Sequence, residues 1–196
     1  MNNSLFSSSN LFPLEHPAIG IPSHPLQYRA IGVVKGIYKP EEGVLTKGVL
    51  TTEENYSFSA VLLGKTICTV KKHINLEEAQ LWVVYPHSLP GKDELHFQIA
   101  GIYKPASPQN PPLPENYFSV RGEVVYSSKS REKVVVKIYH NNYPLRKGAP
   151  CFKVELKGKI PNNRLKSFFT FSARLEGKYL VIQEYFNLGL MAAYVK

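Results

Sequence analysis

The sequence predicts an all-β fold with one short helix, arranged as two small five-stranded, OB-like barrels in tandem. Three observations lead there. Ten short apolar segments bounded by turn residues fall into two sets of five, a proline run separates the sets, and one stretch of helical spacing precedes the fourth segment of the first set. With 196 residues, 43% hydrophobic and 20% charged, the chain has enough apolar content to fill two barrels of about 80 residues each.

Residues 1–25 are rich in Ser and Asn and are broken by Pro13, Pro17, Pro22 and Pro25. They read as an extended arm on the surface of the first domain. They carry no Lys or Arg and so do not resemble a secretory signal.

The first barrel, residues 26–104, opens with a long strand, Tyr28–Tyr38, interrupted by Gly32 and Gly36. Glycine inside a strand marks a bulge or the bend of a barrel. Val44–Leu50, Tyr56–Leu63, Leu81–Tyr85 and Leu95–Tyr103 follow as strands. Between the third and fourth, Ile67, Val70 and Ile74 recur at spacings of three and four, which predicts a helix within Lys65–Glu78.

Residues 105–116 form the linker, with five prolines in Pro105–Pro114. Such density removes amide donors and favours an extended, semi-rigid chain. A second barrel, residues 117–196, repeats the scheme with Tyr117–Tyr126, Lys133–Tyr139, Cys151–Leu156, Ser167–Ala173 and Tyr179–Phe186. The segments LWVVYPHSLPGKDELHFQI (81–99) and SFFTFSARLEGKYLVIQ (167–183) share two strands around a Leu-x-Gly-Lys turn, as a duplicated closing hairpin would. A linker of this kind predicts that cleavage within it releases two halves that each keep β structure.

The net charge of +9 is unevenly divided. Residues 1–105 hold nine basic and nine acidic side chains, whereas residues 106–196 hold fifteen basic residues against six glutamates. A polyanion is therefore drawn to the second half.

Catalytic signatures are absent from the sequence: no phosphate-binding Gly-x-x-x-x-Gly-Lys loop, no Gly-x-Ser-x-Gly elbow and no His-Glu-x-x-His. The six histidines are dispersed, and Cys68 and Cys151 lie 83 residues apart, so neither a metal site nor a disulfide framework is expected. The expected class is a non-enzymatic, cytoplasmic binding protein without cofactor, small-molecule substrate or membrane partner.

The binding residues follow from the alternation of the second barrel. In Lys133–Tyr139 a period of two sends Val134, Val136 and Ile138 inward and Lys133, Lys137 and Tyr139 outward. The next strand leaves Lys153 and Lys157 outward. Loops add Lys129 and Arg131, then Tyr143, Arg146 and Lys147, then Arg174 and Lys178. Phe168 shares the parity of Lys166 and Thr170 and is a further stacking candidate. Cations around aromatic rings, on the second and third strands and adjoining loops of an OB barrel, suit RNA or single-stranded DNA bound with little sequence preference. The alternative is a scaffold or assembly factor whose basic surface meets an acidic protein partner.

The phrases Tyr28-Arg-Ala-Ile-Gly-Val-Val-Lys-Gly-Ile-Tyr38, Ala60-Val-Leu-Leu-Gly64 and Leu81-Trp-Val-Val-Tyr-Pro86 resemble a family of uncharacterised cyanobacterial proteins. The resemblance covers mainly residues 25–105. It implies a bacterial cytoplasmic setting and assigns no functional residue.

Overall fold

Among the described residues, ten strands and one helix form where the apolar periodicity places them. The computed structural model describes residues 14, 19–88, 94–104, 115–140, 150–161 and 166–190. In the first half these are β1 (Arg29–Glu41), β2 (Val44–Thr52), β3 (Ser57–Leu62), α1 (Gly64–His73), β4 (Gln80–Ser88) and β5 (Leu95–Ile102). The second half supplies β6 (Tyr117–Ser128), β7 (Lys133–Tyr139), β8 (Cys151–Lys157), β9 (Ser167–Glu176) and β10 (Tyr179–Leu190).

Neighbours run β2-β3-β5-β4-β1-β6-β7-β8-β10-β9, with β2 also pairing β1 and β9 also pairing β6. Each set of five strands thus closes on itself. The third and fifth strands pair in parallel in both, β3 with β5 and β8 with β10, which is the OB arrangement repeated. The closing hairpins β4–β5 and β9–β10 occupy equivalent places, as the repeated turn suggests.

Closure depends on changes of partner along the first strand of each barrel. Residues 32–36 of β1 pair with β4 and residues 36–41 with β2. The changeover falls at Gly36, where a Cβ would stand 2.4 Å from the Thr51 carbonyl oxygen. On β6 the changeover from β9 to β7 falls at Glu123, beside Gly122, where a Cβ would stand 2.5 Å from the Lys137 carbonyl oxygen. The buried Trp82 indole N–H donates to the Gly36 carbonyl at 2.9 Å, so this side chain belongs to the core.

The helix is shorter than its periodicity predicts. It stops at His73, and Ile74 is extended. Asn75 draws the chain into a turn, accepting from the Glu77 amide at 3.1 Å and donating to the Glu78 carboxylate at 2.9 Å. Asn competes in this way for backbone partners that a helix would use.

The two barrels are joined by more than a linker. Residues 29–32 of β1 pair with residues 118–121 of β6, and one apolar cluster runs from Tyr28 through both interiors to Leu180. A second contact sits on β8, where the Glu155 amide donates to the Ser88 hydroxyl at 2.8 Å.

The described part of the arm lies across this junction rather than on the first barrel alone. The Arg29 guanidinium donates to the carbonyls of Ile19 and Gly20. The wholly buried Arg121 donates to the carbonyls of Pro25 and Gln27, and the Tyr117 hydroxyl to that of Leu14 at 2.8 Å. A buried guanidinium is tolerable only when its donors are occupied in this way.

Phe168 is corrected by the same feature. Its parity is outward, opposite Glu123 on β6, yet it is completely buried because Tyr28 packs its ring against it at 5.1 Å. It offers no face for stacking a base. The prolines of residues 105–114, which carry the linker expectation, lie outside the described residues.

Candidate nucleic-acid interface

Strands β6, β7 and β8 present an outer face whose rows are fixed by register. Ser128, Lys133 and Lys157 form one row, Tyr126, Val135 and Glu155 the next, and Glu123, Lys137 and Lys153 the third. Lys133 thus stands opposite Lys157, and Lys137 opposite Lys153. Like charges directly opposed across strands are destabilising, so compensation is required. Glu155 supplies it to Lys133 through an ion pair. Glu123 supplies it to Lys137 at 3.0 Å, both side chains being largely buried. Partial burial opposes the Lys137 charge, but hydrogen bonds to Tyr139 and Glu123 outweigh it and hold the ammonium above the ordinary lysine range.

Those two lysines are therefore committed to carboxylates. Lys153 and Lys157 are exposed and have no ion pair among the described residues. The Lys157 ammonium lies 5.3 Å from the centre of the Tyr179 ring, within cation–π range.

At one end of this face the β6–β7 turn and the β9–β10 turn converge on a cleft of about 350 Å³. Arg131, Lys133, Lys157, Lys178 and Tyr179 line it together with Glu94, Glu132 and Glu155, and Ser88 and Leu95 reach it from the first barrel. Glu155 is occupied by Lys133, and Glu132 by Lys159 at 2.8 Å. The hydrogen bond from Lys159, with its charge, holds the Glu132 carboxyl below the usual carboxylate range. Arg131, Lys157 and Lys178 are then the lining cations without an ion pair among the described residues; they share the cleft with Glu94 and with a tyrosine ring that is half exposed. The chemistry available is phosphate binding next to a platform for a base.

Four of the sequence-predicted residues, Arg131, Lys133, Lys157 and Lys178, are brought together here. Lys129 and Arg174 are exposed, on the β6–β7 turn and on β9, but do not line the cleft. Lys137, Lys153 and Tyr139 lie further along β7 and β8. Tyr143, Arg146 and Lys147 lie outside the described residues. Sequence reasoning missed Tyr126 and Tyr179, both exposed. The inward alternation of Leu180 was the signal that places Tyr179 outward.

Tyr139 borders a second cleft, of about 530 Å³, between the two barrels and the arm. Its ring meets Tyr28 edge-on at 5.2 Å, and the Lys137 ammonium sits 4.9 Å from its centre. His87 lies in this cleft against Phe152, ring centres 4.1 Å apart. Burial, with the neighbouring His96 next in weight, pushes the His87 imidazole down to about 4.

Because the folded state favours neutral His87, stability is fully present above the unfolded value of about 6.5 and is lost as pH falls toward about 4. The expected loss is on the order of 2 kcal/mol, allowing for the ring's partial exposure to screening solvent. Thermal melting should show a steeper decline over that window for the unaltered chain than for His87→Gln. Identical profiles would mean that the imidazole is not held neutral by the fold.

No helix among the described residues is long and apolar enough to cross a membrane. The chain matches no curated protein. Residues 30–110 match a family model described as the N-terminal OB-fold domain of the PatR RNA-binding protein. Residues 120–189 match one described as a cyanobacterial OB-fold-like RNA-binding domain, C-terminal. Neither describes an enzyme. Two closed barrels in the OB strand order, each matched in sequence by its own OB-fold model and together over about three quarters of its length, make the chain a tandem pair of OB-fold domains, the first similar to the N-terminal PatR domain and the second to the cyanobacterial C-terminal one.

Proposed function

We propose that the chain is a non-enzymatic RNA-binding protein that holds a single strand across the outer face of β6–β8 and the basic cleft at its end, with little sequence preference. Convergence of Arg131, Lys157 and Lys178 on Tyr179 carries the proposal. These side chains come from the two loops and the strand face that border the usual strand-binding groove of an OB barrel. Cations neutralise phosphates of any sequence, and a tyrosine face stacks with any base. The first matching model is described as a domain of an RNA-binding protein and the second as an RNA-binding domain, which favours RNA over single-stranded DNA.

Salt dependence tests it. If Lys129, Arg131, Lys153, Lys157 and Lys178 contact about five phosphates, the logarithm of affinity falls with the logarithm of salt at a slope near −3.5. Raising salt from about 50 to about 200 mM then weakens binding on the order of a hundredfold. Replacing Lys153 and Lys157 together by Gln should flatten the slope by about 1.4 with little loss of stability, since neither is ion-paired among the described residues. Lys137→Gln should instead cost stability, because it leaves the largely buried Glu123 unpaired. Binding of both RNA and DNA oligonucleotides no tighter than millimolar at low salt overturns the proposal and assigns the basic cleft to an acidic protein.

A further inference from the structure

The cleft between the barrels is separate from the basic one and is built differently. Rings line it from both barrels: Tyr85 and His87 from β4, Tyr139 from β7 and Phe152 from β8. Gln98 and the arm residues Ile19–Pro22 contribute further walls. Among the described residues no carboxylate lines it, in contrast to the three glutamates of the basic cleft. Its volume of about 530 Å³ falls within the range of sites that enclose a small flat molecule.

Position links this cleft to the lysine rows. Tyr139 follows Lys137 by two residues on β7, and Cys151, opposite Tyr139, precedes Lys153 by two residues on β8. Two residues of strand span about 6.6 Å. A chain whose phosphates lie along Lys153 and Lys157 therefore reaches the mouth of the cleft without leaving the face.

We infer that this interbarrel cleft receives one unpaired nucleobase of the bound strand, with the exposed ring of Tyr85 as its stacking platform. The inference rests on the single-strand reading above and extends it to the first barrel, which carries no excess charge. Described walls without a carboxylate suit an anionic chain. Apolar ring faces suit a base that must leave water. The neutral His87 ring and the Gln98 amide hydrogen-bond to each other, which leaves the amide's other end to meet a base edge. Tyr85 is over a third exposed, so removing its ring opens no cavity in the core.

The experiment uses the whole chain and an oligouridylate of about 15 nucleotides, long enough to span both clefts. Tyr85→Ala should weaken binding roughly five- to a hundredfold at an unchanged salt slope, because stacking releases no counterions. Tyr85→Phe should retain the affinity, since the face is kept, and both variants should melt with the unaltered chain. If Tyr85→Ala binds as tightly as the unaltered chain while the Lys153 and Lys157 double variant flattens the slope, the inference falls and the strand-binding reading stands. If the unaltered chain binds no oligonucleotide, both fall together.

Discussion

A fragment beginning at Tyr117 should fail to fold, although it contains all five strands of a closed barrel. The outer face of β6 and β9 explains why. Phe168, Thr170, Ser119 and Arg121 are wholly buried there, and what covers Phe168 and Arg121 includes Tyr28 and the carbonyls of Pro25 and Gln27, all before the linker. Cutting the chain returns the Phe168 ring to water, at a cost of about 1.5–3 kcal/mol, and does the same to Phe118, which packs on Phe97 of the first barrel. It also strips the Arg121 guanidinium of those two carbonyls and deletes the β1–β6 ladder. These losses together are comparable to the roughly 5–15 kcal/mol that holds a domain folded. The fragment should lack a cooperative melt and bind an apolar dye. Carrying residues 19–34 ahead of Tyr117 on a flexible linker should restore the melt, because that segment holds both the covering residues and the paired strand. A cooperative melt from the bare fragment, at the temperature of the whole chain, would show that the barrels are independent after all.

The sequence leads to an expectation of separable halves because it advertises local features, whereas the β1–β6 junction that bears on separability has no local signature. Alternation in Lys133–Tyr139, the glycines of β1 and the turn at Glu176–Lys178 are local, and each placed its element correctly. Pairing between β1 and β6 leaves no such trace, since a strand that closes a barrel and one that also meets a neighbouring barrel share the same pattern. Phe168 shows the consequence for the site. Its outward parity was readable; its cover, Tyr28, lies 140 residues away in the chain. The lysines divide similarly. That Lys133 and Lys137 face outward follows from the period of two, whereas their engagement by Glu155 and Glu123 depends on which strands stand side by side. The pairing of both strands with β7 turned four equivalent cations into two bound and two available.

Gly32→Ala should lower the stability of the whole chain by about 2–3 kcal/mol, with the loss shared by both barrels. Gly32 is aligned with Val84 of β4 and with Phe118 of β6, so it sits where the two barrels meet. The Phe118 ring fills the space that a side chain would take. A Cβ at residue 32 would stand 2.3–2.6 Å from three of its carbons, among them Cγ, close to the backbone. That ring is completely buried and stacked beside Phe97, so it has no free direction in which to retreat. Either β6 moves off β1 or the ring leaves its rotamer, and both courses disturb the junction. By contrast, Gly101 has open space around the equivalent position, and Gly101→Ala should be tolerated with little change. Phe118→Leu offers a check on the mechanism. A shorter, flexible side chain at residue 118 makes room for the added methyl group, so the double variant should be less destabilised than the sum of the single variants, a coupling readable by denaturant titration. Strict additivity of the two losses would place the cause of the Gly32→Ala effect elsewhere than in contact with Phe118.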